Sequence, residues 1–319
     1  MIPDGDIALG MSRESAIQWL LLALVALADW AWMASAGFRI DSEYFQGFGC
    51  IFLLILISLF YFYTGRDQRI VGFAHFGALL FSLYGSMILL NYLAVTTDAP
   101  LVDDTFDAID KSLGLDWVSW TQWVTAHSAI RWGLFIAYSS LPLQVFLCYF
   151  YNAHSRADWR NSELWWLTFI SLLVTIVISA MIPATNPYVY YGLQGTDHFL
   201  HMQHFLGLRD GTIHAMKHVN DEGLIQLPSF HTILAIMLTY NLRHNRWLFA
   251  IAVVLNITMI LACPSEGSHY FVDLIAGAVV AAATIWGVRR LGRQFAWGSQ
   301  PEIVVQPVFI LHTIVKVPR

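Results

Sequence analysis

The chain has 319 residues, of which 57% are hydrophobic and 12% charged, with a formal net charge of −5 and a mean hydropathy of +0.57. Soluble domains carry about 25% charged residues, so a chain this apolar cannot cover its surface in water. The composition excludes a soluble globular protein and places the chain in lipid.

A bilayer core about 30 Å thick needs roughly 20 apolar residues per helical span. Long continuous runs, rather than the short alternating segments of a membrane β-barrel, predict an all-α polytopic bundle of about eight transmembrane helices. They are expected at about 16–38, 46–63, 70–94, 129–151, 164–183, 228–243, 246–263 and 269–289. In the first, Ala34-Ser35-Ala36 resembles a signal-peptidase site. Asp29 and two tryptophans interrupt the run and only Arg13 flanks it, so an uncleaved helix is expected. Asp29, and later Arg131, are expected to pair with polar neighbours in the bundle; Arg131 has the alternative of lining a substrate entrance. His75, His127 and His154 read as structural. Cys50, Cys148 and Cys263 have no paired spacing, which argues against a disulfide framework or a thiolate metal site.

Lysine and arginine in short loops orient a membrane protein. With eight spans, Arg13, Arg66, Arg69, Arg156, Arg160, Arg243, Arg246 and the basic residues from Arg289 onward fall on one side. Only Arg39, Lys111, Arg131, Arg209 and Lys217 fall on the other. Removing one span would scatter the basic loops over both faces. The basic side, with both termini, is expected in the cytoplasm of a bacterial-type inner or plasma membrane. The long connections 95–128 and 184–227 then face outward. The expected organisation is two N-terminal helices (1–69), a six-helix catalytic core (70–290) and a cytoplasmic tail (291–319).

In the first outer connection, Phe106, Ile109, Leu113 and Leu115 fall opposite Asp104, Asp107 and Asp110, followed by Trp117, Trp120 and Trp123. This pattern predicts an amphipathic helix in the membrane interface, where indoles sit, with a structural or gating role. The second connection holds His198, His201, His204, His214 and His218. The aromatics of "NPYVYYG" at its start read as interface anchors or as walls of a headgroup pocket.

That connection leads into "LPSFHT", which opens the sixth span, while "GSHYFVDLIAG" opens the eighth. Both begin at the outer face, so His231 and His269 can share one depth. Asp273 lies one helical turn beyond His269 on the same face. Its carboxylate can fix the imidazole tautomer and leave the other nitrogen free to attack. Pro228 suits a first helical turn, and the free amides behind it, with the Ser229 hydroxyl, make an anion site. Two histidines, an aspartate and an anion-binding helix start are what phosphoryl transfer through a phosphohistidine requires.

"PSFH" followed by "HYFVD" resembles the P-S-x-H and H-x-x-x-D blocks of the type-2 phosphatidic acid phosphatase superfamily. Within it, "HYFVDLIAG" is most similar to the branch of inositol phosphorylceramide and sphingomyelin synthases and their bacterial relatives. The resemblance implies a metal-independent lipid phosphatase or phosphotransferase without cofactors. It makes His269 the nucleophile, Asp273 its orienting partner and His231 the general acid and base, with Ser229 helping to hold phosphate. It implies a lipid phosphate ester as substrate and membrane lipids as partners, with no nucleic acid; oligomeric state is left open. Two features of the superfamily are missing: the Lys…Arg-Pro block, and the arginine six residues before the nucleophile, where Cys263 stands. Arg209 first, then Lys217, are the outer cations expected to replace them, since phosphate charge must be neutralised.

Two other classes remain open at this stage. The spacings within 198–218 permit a histidine-bound metal, and eight helices with buried polar groups permit a transporter or channel. Against the latter, the ionisable residues cluster at one face and no broken-helix pairs recur in two halves.

Overall fold

The computed structural model describes residues 13–40, 46–193, 197–216 and 224–295. It is an all-helical membrane protein. In chain order come α1 (Arg13–Ala36), α2 (Gln46–Tyr63), α3 (Gln68–Val95), α4 (Asp103–Ser112), α5 (Trp117–Ala126), α6 (Ser128–Ser139), α7 (Leu141–His154) and α8 (Asp158–Met181). Then follow α9 (Pro187–Tyr190), α10 (Asp197–Arg209), α11 (Phe230–Asn241), α12 (Arg246–Glu266) and α13 (Phe271–Phe295). A two-residue parallel pair, β1 (Arg39–Ile40) with β2 (Ala215–Met216), ties the end of α1 to the second outer connection.

Each of the eight expected spans is helical, but they are not equivalent. Among the described residues five helices are long and apolar enough to cross a membrane: α1, α3, α8, α12 and α13. The fourth expected span is two helices, α6 and α7, bent by 45° at Ser140, and makes a sixth crossing if taken together. The expectation of eight full-length spans is corrected at 228–243. At 46–63, α2 covers the expected 18 residues, about 27 Å at the α-helical rise. At 228–243, α11 has only 12 residues, about 18 Å, against a hydrocarbon core of about 30 Å. Ser229 caps its start and a 3-10 turn at Leu242–His244 closes its end.

The core lies where α3, α7, α8 and α11 meet, around Trp165, Leu79, Leu83, Ile233 and Met237, all essentially sealed from solvent. At one end of the bundle the polar residues bond to one another. The Asn152 amide donates to Asn161 at 3.0 Å and Asn241 at 2.9 Å, and Arg243 pairs with Glu163 at 2.8 Å. Glu14 accepts from Ser162 and Trp166, and His75 bonds Ser15. This is the end that carries the basic loops. Asp29 departs from expectation: it is buried in α1, and among the described residues neither carboxyl oxygen has a hydrogen-bond partner.

The opposite end carries α4, α5, α9 and α10. There α4 is turned the other way from its expected interfacial pose. Asp103, Phe106, Asp107 and Asp110 face inward, while Ile109 and Leu113 are exposed. The reason is that backbone amides and hydroxyls of neighbouring segments bond these carboxylates, so the acidic stripe is the packed face. Trp117 is likewise buried rather than interfacial. Tyr188 and Tyr191 of the expected anchor segment bond inward to Ser265 and Asp107, and Tyr190 bonds Asp104 at the surface.

Candidate active site at the junction of two helix starts

The start of α11 and the start of α13 are in direct contact. The Ser229 amide donates to the Asp273 carbonyl at 2.9 Å. Gly277, one turn further along α13, permits the approach: a Cβ there would lie 2.7 Å from the Ser229 carbonyl oxygen and 3.1 Å from Thr232 Cβ. The two motifs, about 40 residues apart in the chain, therefore share a backbone junction. His269 is close enough to His231 for its charge to act there.

His269 sits in the short connection between α12 and α13 and is 5% exposed. Its Nδ1 is 3.2 Å from Asp273 Oδ2, the geometry expected of an orienting carboxylate. The same Asp273 oxygen accepts from the Tyr270 amide at 2.9 Å and the Gln226 side-chain amide at 3.2 Å. Gln226 also donates to the Ser268 carbonyl at 2.6 Å, which bridges the two motifs. Ser268 holds a φ of 58°, a left-handed conformation uncommon for a residue with a Cβ and frequent at functional sites.

The connection is fixed from outside by the outer helices. Trp117 Nε1 donates to the Pro264 carbonyl at 2.8 Å and Tyr188 Oη to the Ser265 carbonyl at 3.0 Å. Tyr270 Oη donates to Asp103 at 2.9 Å, and Asp103 also accepts from the amide and hydroxyl of Thr185. Asp110 caps α13, accepting from the Phe271 amide at 2.7 Å and the Val272 amide at 2.8 Å. Burial holds the Asp110 carboxyl above its usual range, and these two amides pull the other way. Burial pushes Tyr188 up to about 12, Glu266 adding to the effect and Arg131 opposing it. A hydrogen bond to Asp104 moves Tyr190 to about 12.

His231 is held differently. Its ring stacks on Tyr138 of α6, with centroids 4.2 Å apart and planes at 18°, and its Nδ1 is 3.3 Å from Tyr138 Oη. The stack needs Gly267, where a Cβ would fall 2.8 Å from Tyr138 Oη and 2.9 Å from the Cys263 carbonyl.

The anion site expected at the start of α11 is only partly free. The Ser229 hydroxyl is fully buried and caps the helix, accepting from the Thr232 amide at 3.4 Å, and it lies 3.9 Å from the Cys263 thiol. Pro228 stands before this cap, outside the helix rather than in its first turn. Cys263, at the position of the missing arginine, is sealed beneath Ser229 and Thr232, a place with no room for a guanidinium.

Arg209 ends α10, where it pairs with Asp98 at 3.0 Å, donates to the Ala99 carbonyl and lies over the Phe205 ring. These contacts join it to the end of α3, and none is to a motif residue. Lys217, His218 and the side chains of His198 and His201 lie outside the described residues. His204 packs edge-on against Tyr92, and the His214 carbonyl accepts from the Arg39 amide. Among the described residues no three His, Cys, Asp or Glu side chains are grouped to hold a metal.

Arg131 is the described cation beside the motifs. It lines a cavity of about 340 Å³ with Thr125, Ser128, Trp132, Phe135 and Glu266, three residues before His269. Among the described residues its guanidinium makes no ion pair within 4 Å, so the expected pairing in the bundle is not observed; its charge acts on Glu266. Trp132 and Phe135 are 64% and 46% exposed, so the cavity mouth opens on the apolar flank of the bundle. Tyr138, Gln226, Asp103 and Asp110 were not singled out by motif reading as partners of the two histidines. Aspartates at 103, 107 and 110 do recur at helical spacing, which is a signal for one shared face.

A family model described as the PAP2 superfamily matches residues 105–287, more than half of the chain. No curated protein and no solved structure matches it.

Proposed function

The chain belongs to the PAP2 superfamily, and on that premise we propose that it acts on a lipid phosphate ester through a phosphohistidine. It is a membrane enzyme of the lipid-phosphatase type; the mechanism and substrate below are our reading. The observation that carries it is the junction that brings His269, Asp273 and His231 together: the Ser229 amide bonded to the Asp273 carbonyl, with Gly277 against Ser229.

His269 Nε2 attacks phosphorus while Asp273 holds Nδ1. The P–N bond forms as the P–O bond to the leaving group breaks, and His231 gives that oxygen a proton. In the second half, an acceptor hydroxyl gives its proton to His231 and attacks phosphorus, and the P–N bond breaks. Water as acceptor makes a phosphatase; an alcohol headgroup or lipid hydroxyl makes a transferase. The missing superfamily cations favour the synthase-like branch and leave the acceptor, water or alcohol, to experiment.

Phosphate charge requires a cation, since electrostatic stabilisation is usually the largest catalytic term. Arg131 replaces Arg209 as the first candidate, because it lines the cavity beside Glu266 whereas Arg209 is engaged by Asp98. Lys217 remains a second candidate. The Ser229 hydroxyl acts by capping α11, so the Phe230 and His231 amides of that turn are the groups offered to phosphate oxygens. The gathering of basic loops at the opposite end supports an outward-facing site with cytoplasmic termini. The catalytic core is proposed to run over 70–290, with 1–69 as added helices and 291–319 as a tail.

The test is purified protein with a panel of lipid phosphates, each with and without candidate alcohols. Released inorganic phosphate identifies hydrolysis and a new phosphodiester lipid identifies transfer. His269→Ala is expected to lose turnover and covalent phosphate labelling together; a fully active variant would sink the mechanism. Turnover unchanged by a strong chelator is expected, and loss of turnover would favour a metal held by the histidine-rich connection.

A further inference from the structure

Asp273 holds His269 through Nδ1, and the corresponding atom of His231 has its own partner. Tyr138 Oη lies 3.3 Å from His231 Nδ1, with the two rings stacked at 4.2 Å. Two independent features build this contact. Gly267 leaves the space that Tyr138 Oη occupies, and Leu134, one turn before Tyr138, packs with Val124 and Ala262 to fix that face of α6 on α12.

We infer that Tyr138 is the positioning residue of His231, the uncharged counterpart of Asp273. This rests on the phosphohistidine reading above. A neutral imidazole carries one N–H, and the partner of one nitrogen decides which. In this proposal Tyr138 Oη takes the acceptor role toward Nδ1–H, so the proton that moves is the one on Nε2. In the first half-reaction it passes from Nε2 to the leaving oxygen as the P–O bond breaks. In the second it returns to Nε2 from the acceptor hydroxyl as the new P–O bond forms. Nδ1–H stays on Tyr138 throughout, so the ring does not turn between steps. The imidazolium form lies over the face of a phenol, where the ring quadrupole attracts a cation. A carboxylate in that place would hold the proton too firmly for an acid that must release it.

Full-length protein in detergent is assayed with two esters. Dioctanoyl phosphatidic acid expels an alkoxide, which needs a proton; p-nitrophenyl phosphate expels a phenolate, which does not. Tyr138→Phe keeps the ring and removes only the hydroxyl. It is expected to lower kcat/KM, which reports the first half-reaction alone, about tenfold on phosphatidic acid, a fraction of what general acid catalysis contributes, and to leave kcat/KM on the nitrophenyl ester within about twofold. His231→Gln should show the same asymmetry more strongly. Equal loss on both esters, or none on either, overturns the role of Tyr138. His269→Ala separates the two ideas: activity surviving there removes the phosphohistidine reading itself, whatever Tyr138 does. A readout without turnover is the 15N resonances of His231 in histidine-labelled protein, assigned with His231→Gln. Tyr138→Phe is expected to shift them away from the Nδ1–H tautomer, and unchanged resonances overturn the proposal.

Discussion

The connection that carries His269 and the turn that carries His231 are built from different materials. Residues 264–273 are bonded at Pro264, Ser265, Ser268, Tyr270, Phe271 and Val272 by side chains of α4, α5, α9 and Gln226. The turn at 228–232 is capped by Ser229 and joined to Asp273, but the His231 ring itself rests on a stacked tyrosine. The three bonds to the Asp103 and Asp110 carboxylates contribute about 1.5–3 kcal/mol each, against about 0.5–1.5 kcal/mol for an aromatic pair. On the proposed mechanism, the side that aims a nitrogen at phosphorus is held by directional bonds, and the side that releases and recovers a proton by a softer contact.

The hardest break of this contrast is at the two histidines. His269→Ala should abolish both turnover and phosphoenzyme, whereas His231→Gln should still label with p-nitrophenyl phosphate while losing about a hundredfold or more on alkyl esters. Quench-flow labelling with radioactive phosphate measures both.

Next is the junction between the halves. Gly277→Val puts a branched side chain where even a Cβ would meet the Ser229 carbonyl at 2.7 Å. Parting reacting groups by about 1 Å can cost about a hundredfold, so kcat should fall by that order while the chain remains in the membrane. Near-normal kcat would show that the contact is dispensable.

Asp110→Ala removes the cap of α13 and leaves the Phe271 and Val272 amides unpaired. A lost cap costs about 1–2 kcal/mol, to be read as a lower thermal midpoint in detergent, together with a severalfold lower rate on both esters. Asp110→Asn keeps one acceptor and should lie between. A variant that lowers the rate on alkyl esters alone would contradict the assignment of this cap to the nucleophile side.

The gentlest probe is pH. Attack needs neutral His269 and departure needs protonated His231, so kcat/KM on phosphatidic acid should be bell-shaped. On the nitrophenyl ester the alkaline limb should vanish, because no acid is required. Two identical profiles would argue against separate roles.

Much of the fold was legible in the sequence, because apolar runs and basic loops report directly on burial in lipid and on sidedness. Every expected span is helical. The short reach of α11 was not legible, since nothing in the sequence separates its α-helical turns from the cap at Ser229 or from the 3-10 turn at Leu242–His244. The pose of α4 was read backwards for a related reason. Hydrophobicity ranks Asp103, Asp107 and Asp110 as solvent-facing, and nothing local says that amides of α13 and a hydroxyl of Tyr270 are waiting for them. At the site, His231, His269 and Asp273 stand in short motifs whose spacing carries their meaning. Tyr138 lies 93 residues from its partner in a helix with no motif, so only the folded chain brings it into view. Gly277 was present in the quoted motif, yet its use depends on a contact from another helix.

The mouth of the Arg131 cavity, flanked by exposed Trp132 and Phe135, has a consequence for how rates should be expressed. A substrate entering there arrives by two-dimensional diffusion within one leaflet. Its effective concentration is its mole fraction among the surrounding lipids, not its amount per litre. Diluting substrate with inert lipid or detergent at constant bulk concentration should slow this protein, and adding water should not.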